Sequence, residues 1–238
     1  MIIASIQKQS LIEYPKKISA VIFLAGCNFR CQFCYVKDLV LPEEIKKIKP
    51  IPKKEVFSFL KKRKGFLDAV SITGGEATIN TDLPEFIKKI KEIGYLVELE
   101  TNGSNFGMLK NLVREKLVDY VAMDIKHNFV FEKWYEITGH ILTQEMFENV
   151  QNSVNFLLEG KVDYEFRTTL VKEFHQKEDI IEICKKIKGA KIYFLQNFKE
   201  TEGETLSGKK FTPFSREEIE EIVKEGKKYT NIQARPYL

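Results

Sequence analysis

The sequence predicts an α/β protein built as a partial (βα)6 TIM-like barrel, in which six parallel strands alternate with helices and leave one side open. Strand-sized apolar runs recur between helical patterns, and residue types that bind ligands follow the strand ends. Eight βα units would close a full barrel, so six leave it open. The chain has 238 residues, 43% of them hydrophobic, which is enough for one sizeable core. We expect a single domain over residues 1–238, with a core at about 18–200 and a C-terminal helical extension at about 201–238.

The predicted strands are short runs rich in β-branched and aromatic residues. They cover residues 20–25, 69–73, 96–100, 120–123, 164–169 and 191–195. Consecutive parallel strands need crossover connections, which are right-handed in almost all known folds. The helical segments between the strands supply these crossovers.

Three amphipathic helices are predicted from apolar residues at three- and four-residue spacing. Their apolar faces contain Leu83, Phe86, Ile87, Ile90 and Ile93; Met146, Phe147, Val150, Val154, Leu157 and Leu158; and Ile180, Ile183, Cys184 and Ile187. Because Cys184 lies within such a face, we expect it to be a buried structural thiol. A last helix follows Ser215, which forms a capping box with Glu218.

Three cysteines lie close together in the loop after the first predicted strand. Cys27, Cys31 and Cys34 have CxxxCxxC spacing, so their thiolates can hold three corners of an iron–sulfur cube and leave the fourth iron open. The alternative is a structural zinc site, which needs four ligands. The remaining cysteine and histidines all lie far downstream, which favours the cluster; they are Cys184, His127, His140 and His175.

Polar and glycine residues follow the other predicted strands in series. They are Thr73-Gly74-Gly75-Glu76, Thr101-Asn102-Gly103, Asp124-Ile125-Lys126, Arg167 and Gln196. Taken singly, each has an ordinary explanation, because glycine pairs and Asn-Gly form turns and an aspartate can cap a helix. Ligands bind at the carboxyl ends of parallel strands. The whole series therefore predicts a binding site beside the cysteines.

These motifs, in this order, resemble those of the radical S-adenosylmethionine (SAM) superfamily, and more narrowly those of the glycyl-radical-enzyme activases. The resemblance implies a 4Fe-4S cluster on Cys27, Cys31 and Cys34, with the amino and carboxylate groups of SAM on the open iron. It also implies the partial barrel that is typical of the radical SAM fold. No catalytic side chain is implied.

The resemblance assigns SAM contacts to residues at the strand ends. It implies that Gly74 and Gly75 let backbone carbonyls approach the SAM ammonium and that Glu76 supports this contact. The other cofactor-binding residues that it implies are Phe33 near the adenine, Thr101, Asp124, Lys126, Arg167 at the SAM carboxylate and Gln196 near the adenosine. Asp124 and Lys126 match an Asp-x-Lys motif whose region holds a monovalent cation in some activases. Glu100 stands where an aspartate is more usual.

Two further stretches are similar to activating proteins of anaerobic ribonucleoside-triphosphate reductase. They are Ser10-Leu-Ile-Glu-Tyr14-Pro15 and Tyr135-Glu-Ile-Thr138-Gly139. The implied function is reductive cleavage of SAM to a 5′-deoxyadenosyl radical, which generates a glycyl radical on the partner reductase. The electron donor would be of the flavodoxin or ferredoxin type. Since no Arg-Val-x-Gly motif occurs, the chain is expected to be the activator.

Three alternatives remain open from the sequence. The first is a radical SAM enzyme that acts on a small molecule, and the second is an activase for another glycyl radical enzyme such as formate lyase. The third is a zinc-binding module without enzymatic activity. Because only Cys184 lies outside the triad, an auxiliary cluster of the kind found in peptide-maturing relatives is not expected.

The composition of the chain restricts the partners it is expected to bind and the cellular compartment in which it is expected. The chain has 38 basic and 34 acidic residues, with Lys and Glu interspersed as on solvated helix faces, so nucleic acid is not an expected partner. No apolar run reaches the roughly 18 residues that a membrane span requires. Four cysteines, three of them clustered, indicate a reducing compartment and not a disulfide framework. We expect a cytoplasmic protein.

Overall fold

A computed structural model describes residues 1–199 and 205–235 of the chain. Its eight strands form one sheet in the order β1 to β8. The strands are β1 (Ile2–Ser10), β2 (Ser19–Ala25), β3 (Ala69–Gly74), β4 (Leu96–Thr101), β5 (Tyr120–Asp124), β6 (Asp163–Leu170), β7 (Tyr193–Asn197) and β8 (Ile232–Ala234). Strand β1 runs antiparallel to β2, and each later neighbouring pair is parallel.

Helices connect each pair of neighbouring parallel strands. They are α1 (Lys37–Val40), α2 (Pro42–Ile45), α3 (Lys53–Lys62), α4 (Leu83–Ile93), α5 (Phe106–Arg114), α6 (Phe131–Ile137), α7 (Gln144–Leu158), α8 (Lys177–Lys186) and α9 (Arg216–Gly226), with a 3-10 turn at Ala77–Ile79. In the described ranges, none of these helices has the length and apolar character needed to cross a membrane.

The predicted fold class is confirmed. The six predicted strands correspond to β2–β7, and the sixth is displaced by two residues, since β7 is Tyr193–Asn197. Strands β1 and β8 were not predicted. The predicted helical extension contains α9 and, in addition, the strand β8, so it is not purely helical.

The core lies between the sheet and the helices. Strand β2 is buried along almost its whole length, as is typical of parallel strands covered on both faces. The apolar faces of α4, α7 and α8 predicted from the sequence pack against the sheet, and Cys184 is fully buried in this core. The Ser215 capping box is also present, with Glu218 N donating to Ser215 Oγ at 3.2 Å and Ser215 N donating to Glu218 Oε2 at 2.6 Å.

The parallel register brings the predicted motifs to one edge of the sheet. Leu24 pairs with Gly74, Thr101 pairs with Met123, and Asp124 pairs with Arg167. Gly74, Thr101 and Asp124 are the last residues of their strands, whereas Arg167 lies within β6, before its carboxyl end. The loop that contains the cysteines leaves β2 at the same edge.

Candidate functional site

An open cavity of ≈ 200 Å³ lies at the carboxyl edge of the sheet. The cysteine loop forms one wall, and the ends of β3, β4 and β5 form the other. The lining residues are Cys27, Phe29, Cys31, Phe33, Cys34, Tyr35, Val36, Val40, Thr73, Gly74, Gly75, Glu76, Glu100, Thr101, Asn102, Asp124, Lys126 and Thr169.

The cysteine loop is held from several parts of the chain. Gly26 N donates to Leu39 O at 2.7 Å at the start of the loop. Asn28 joins it to the loop after β4, because the side chain of Asn102 donates to Asn28 Oδ1 at 3.0 Å. The guanidinium of Arg30 donates to two carbonyls of the loop itself. The cysteines are therefore placed by a fixed backbone.

The segment after α6 supports the middle of the cysteine loop. Arg30 N donates to Thr138 O at 3.0 Å, and Gln32 N donates to Ile137 O at 3.2 Å. Gly139 follows with a φ of 77°, and a Cβ at this position would lie 2.4 Å from Arg30 O. A side chain would thus separate the two segments. This contact explains the structural role of the Tyr135–Gly139 stretch singled out in the sequence.

A second segment, residues 205–211, packs against the end of the cysteine loop. Leu206 N donates to Cys34 O at 2.8 Å, and Ser207 N donates to Gln32 O at 3.2 Å. Beneath these contacts lies a small aromatic cluster, separate from the main core. It consists of Phe33, Ile137, Val171, Phe174, Phe198 and Phe211. Phe33, which also lines the cavity, is thereby held in place.

The three cysteines fit an iron–sulfur cluster better than a single metal ion. They are free thiols, and burial, with repulsion from the neighbouring thiols, raises the pKa of Cys27 to about 12. Burial likewise raises the pKa of Cys31 to about 11, so both need a metal to stabilise the thiolate form. All three thiols line the cavity, where they can serve as thiolate ligands of one cluster.

Gly75 contacts the backbone of the cysteine loop directly. A Cβ at Gly75 would lie 2.0 Å from Gly26 O and 3.3 Å from the Cβ of Cys27. Glu76 N donates to Gly26 O at 2.7 Å across the same contact. The sequence-based explanation of Gly75, close approach of SAM, is therefore incomplete, because the position first has to admit the cysteine loop.

Glu76 connects the loop after β3 to the end of β4. The residue is 1% exposed. Its carboxylate accepts hydrogen bonds from Thr78 N at 3.1 Å, Thr101 Oγ1 at 2.8 Å and Asn102 N at 2.6 Å. Burial raises the pKa of Glu76, and these donors oppose the shift. Both carboxylate oxygens have protein partners, so Glu76 orders the wall of the cavity.

Carboxylates and cations alternate at the ends of β4–β6. Arg167 donates from Nη1 to Glu100 Oε1 at 2.9 Å and from Nε to Asp124 Oδ1 at 3.2 Å. Lys126 Nζ donates to Asp124 Oδ2 at 2.7 Å. Burial alone would raise the pKa of both carboxyl groups, but their partners lower it further. Arg167 and Thr73 lower the pKa of Glu100, and Lys126 and Arg167 lower the pKa of Asp124. Both carboxylates are therefore ionised beside the cavity.

Lys126 also faces the cysteines. Although burial opposes its charge, Asp124 and the Cys31 thiol raise the pKa of Lys126. Its backbone carbonyl accepts a hydrogen bond across 2.8 Å from His175 Nε2, and the ring of His175 stacks on that of His127. Both histidines are 1% exposed. They act as packing residues behind Lys126 and lie apart from the cysteines.

Most of the residues predicted for the site line the cavity, but two of them do not. The lining includes Cys27, Cys31, Cys34, Phe33, Gly74, Gly75, Glu76, Thr101, Asp124 and Lys126. Arg167 lies behind the wall with its guanidinium on Glu100 and Asp124, and Gln196 lies within β7. Their contacts with SAM remain predictions. Thr73 and Asn102 belong to the predicted strand-end motifs, although no SAM contact was assigned to them. Thr169 was missed, and Glu100 was noted only as standing where an aspartate is more usual; both lie near strand ends.

Comparisons with known proteins agree on the kind of protein that this site resembles. The family model described as Radical SAM superfamily matches residues 21–193. A protein of Methanocaldococcus jannaschii assigned as a glycyl-radical enzyme activating enzyme is 33% identical over 236 residues, covering 96% of this chain and 92% of its own length. A Thermococcus kodakarensis protein assigned as a GTP 3′,8-cyclase is 29% identical over 169 residues, covering 67% of this chain and 50% of the cyclase.

The fold is also found in solved structures. Streptococcus suis SuiB bound to S-adenosylmethionine superposes with a TM-score of 0.68 at 16% sequence identity, covering 91% of this chain and 52% of SuiB. At this identity the likeness concerns the fold alone.

Proposed function

The chain belongs to the radical SAM superfamily, and from this premise we propose that it is a glycyl-radical-enzyme activase whose partner is an anaerobic ribonucleoside-triphosphate reductase. The observation that carries the proposal is the match to the M. jannaschii relative, which extends over 96% of this chain. The two stretches around Tyr14 and Thr138 add support for the reductase branch, because they lie outside the motifs that the whole superfamily shares. A flavodoxin or ferredoxin-type protein would supply the electron.

The residues of the cavity have distinct tasks under this proposal. The thiols of Cys27, Cys31 and Cys34 hold a 4Fe-4S cluster, and the loop at Gly74 and Gly75 offers backbone groups to SAM. When bound, the cluster and SAM supply one-electron cleavage of the SAM carbon–sulfur bond, giving methionine and a 5′-deoxyadenosyl radical that removes a Cα hydrogen from glycine.

Other residues bind and orient. The ring of Phe33 forms an apolar wall suited to the adenine, and the ionised Glu100 and Asp124 suit the positive charges of SAM. Thr101 completes this wall, and Gln196 is proposed to reach the adenosine from β7. The Asp124 region is also where a monovalent cation would bind.

The test is radical formation on a partner protein. The reconstituted protein would be mixed without oxygen with SAM, a one-electron reductant and a reductase that carries a C-terminal glycyl-radical motif. We expect a doublet in electron paramagnetic resonance from a glycine Cα radical on the partner, with one 5′-deoxyadenosine formed for each radical. Cys31→Ala should abolish both signals, whereas Cys184→Ala, a change in the core away from the cavity, should retain them.

A second candidate is a radical SAM enzyme that acts on a small molecule. The observation in its favour is the match to the cyclase, although this match covers only 50% of that protein. Its signature would be many turnovers of a nucleotide such as GTP with no radical on any protein. That outcome would contradict the activase proposal. If a radical formed only on formate lyase, the chain would still be an activase, but its partner would be formate lyase and not the reductase.

A further inference from the structure

A layer of buried ionisable side chains lies behind the cavity, two residues closer to the amino ends of β4 and β6. Glu98 precedes Glu100 by two residues on β4, and Glu165 precedes Arg167 by two residues on β6. Both glutamates are 0% exposed. Tyr120, at the start of β5, donates its hydroxyl to Glu165 Oε2 at 2.9 Å. This layer does not touch the cavity and has no task in the activity proposed above.

Arg167 is the link between the buried layer and the cavity. Its guanidinium binds Glu100 and Asp124, which line the cavity, and its Nε also lies 3.9 Å from Glu165 Oε1. Three carboxylates therefore lie within ion-pair distance of one guanidinium, and Glu13 also lies close enough to Arg167 and Arg235 to interact with their charges. A buried carboxylate without a cation is strongly unfavourable, so Glu165 needs a second positive partner if Arg167 is to stay on the cavity carboxylates.

Arg235 is that partner. Its Nη2 donates to Glu165 Oε1 at 2.5 Å. The backbone holds this arginine in place, because β8 pairs with β7 and Arg235 N donates to Leu195 O at 2.9 Å. Its guanidinium also lies over the ring of Phe194, with Cζ 4.7 Å from the ring centroid. The side chain is 19% exposed, so most of its surface is covered by the protein.

We propose that Arg235 is a positioning residue for SAM binding: it neutralises Glu165, and Arg167 thereby remains on Glu100 and Asp124 at the cavity wall. In the part of the chain that the structure describes, Arg167 is the only other cation within ion-pair distance of Glu165. Without Arg235, the Glu165 carboxylate attracts the guanidinium of Arg167 away from the cavity wall. Glu100 and Asp124 then lose the contact that fixes their geometry around the ligand.

The test is a double-mutant cycle read out as the dissociation constant of SAM. Arg235→Met, Glu165→Gln and the double variant would be reconstituted without oxygen and titrated with SAM, with iron content and the unfolding midpoint measured beside each titration. We expect Arg235→Met to weaken SAM binding about tenfold at unchanged iron content. The double variant should bind SAM nearly as the unaltered protein does, because the neutral amide introduced by Glu165→Gln no longer attracts Arg167.

The controls separate positioning from general destabilisation. Arg114→Met removes an exposed arginine from α5 and should leave SAM affinity unchanged. Unchanged affinity in Arg235→Met, or equally weak binding in the single and double variants, would overturn the proposal. If Arg235→Met does not fold, the double variant decides: a folded protein with near-normal SAM affinity supports the proposal, and weak binding overturns it. No partner protein enters these measurements, so their outcome is independent of the activase assignment.

Discussion

Gly75 is the residue at which the two walls of the cavity come into backbone contact. A Cβ there would lie 2.0 Å from Gly26 O, so Gly75→Ala has to push the cysteine loop away from β3. We expect the variant to bind less iron after anaerobic reconstitution and to unfold at a lower temperature. The measurement is iron content together with the thermal midpoint.

Gly107→Ala is the matched control for Gly75. A Cβ at Gly107 would have only Asn105 Oδ1 as a neighbour, 3.9 Å away, and Gly107 lies within α5. Because alanine is favoured over glycine inside helices, this change should be neutral or stabilising by about 0.5–1 kcal/mol. If Gly75→Ala retained full iron and the control did the same, the backbone contact would have no role in forming the site.

Glu98 gives the protein a pH-dependent stability. Burial, with repulsion from Glu100, raises the pKa of Glu98 to about 8, and its Oε1 has no hydrogen-bond partner among the described residues. The Glu98 carboxyl loses its proton at lower pH in the unfolded chain than in the folded protein. The contribution of Glu98 to stability is therefore greatest at low pH and is lost as the pH rises towards 8.

Glu98→Gln should remove that pH dependence, because glutamine mimics the protonated form. Relative to the unaltered protein, the variant should gain up to about 1.4 kcal/mol in unfolding free energy for each pH unit between about 5 and 8. Denaturant titrations at several pH values measure this difference, with the exposed Glu85→Gln on α4 as control. A difference that does not change with pH would contradict the prediction.

At the scale of elements, the buried parallel strands were predictable and the edge strands were not. Strands β2–β6 are buried along most of their length, and β2 is almost continuously apolar, as is typical of parallel strands covered on both faces. Strand β1 contains polar residues such as Lys8 and its pairing with β2 is irregular, while β8 has only three residues. Neither leaves a recognisable period in the sequence.

The site was predictable in position but only partly in its contacts. Strand ends and motif spacing identify the residues around the cavity, because parallel strands bring their carboxyl ends together. The partners of Arg167 depend on which side chains face each other across β4–β6. The sequence alone is equally consistent with Arg167 binding a SAM carboxylate and with Arg167 binding Glu100 and Asp124, as it does in the structure.

The segment at residues 205–211 gives a prediction at this scale. Phe211 is 6% exposed and its ring centroid lies 5.5 Å from that of Phe174 and 5.9 Å from that of Phe198. Phe211→Ala should cost about 3 kcal/mol in unfolding free energy and loosen the bonds of Leu206 and Ser207 to the cysteine loop. Iron should then be lost to a chelator faster than from the unaltered protein.

Phe66→Ala is the control for the loss of an aromatic side chain. Phe66 is 71% exposed, so its removal should change neither stability nor the rate of iron loss by much. Equal rates of iron loss from Phe211→Ala and the unaltered protein would mean that the segment does not stabilise the cysteine loop.

In the whole molecule, the two ends of the sheet have different roles. At the amino end, the loop between β1 and β2 packs inward, and the ring of Tyr14 lies 5.6 Å from that of Tyr120. Burial, with repulsion from Glu100, raises the pKa of Glu13 in the same loop. The Ser10–Pro15 stretch therefore packs on the amino ends of the strands, and its Glu13 reaches inward to Glu100, which lines the cavity. The carboxyl end, by contrast, holds the open cavity between the cysteine loop and the strand ends.

The hydrogen bonds around the cysteine loop also constrain the order in which the protein matures. The loop lies near the start of the chain, yet Lys209 Nζ donates to Gln32 Oε1 across 177 residues of sequence. Contacts of such separation form late in folding, because a long loop has to close first. During synthesis the thiols are made long before residues 205–211, the segment that supports their loop. Insertion of iron and sulfide into a fully supported site thus has to follow the synthesis of that segment.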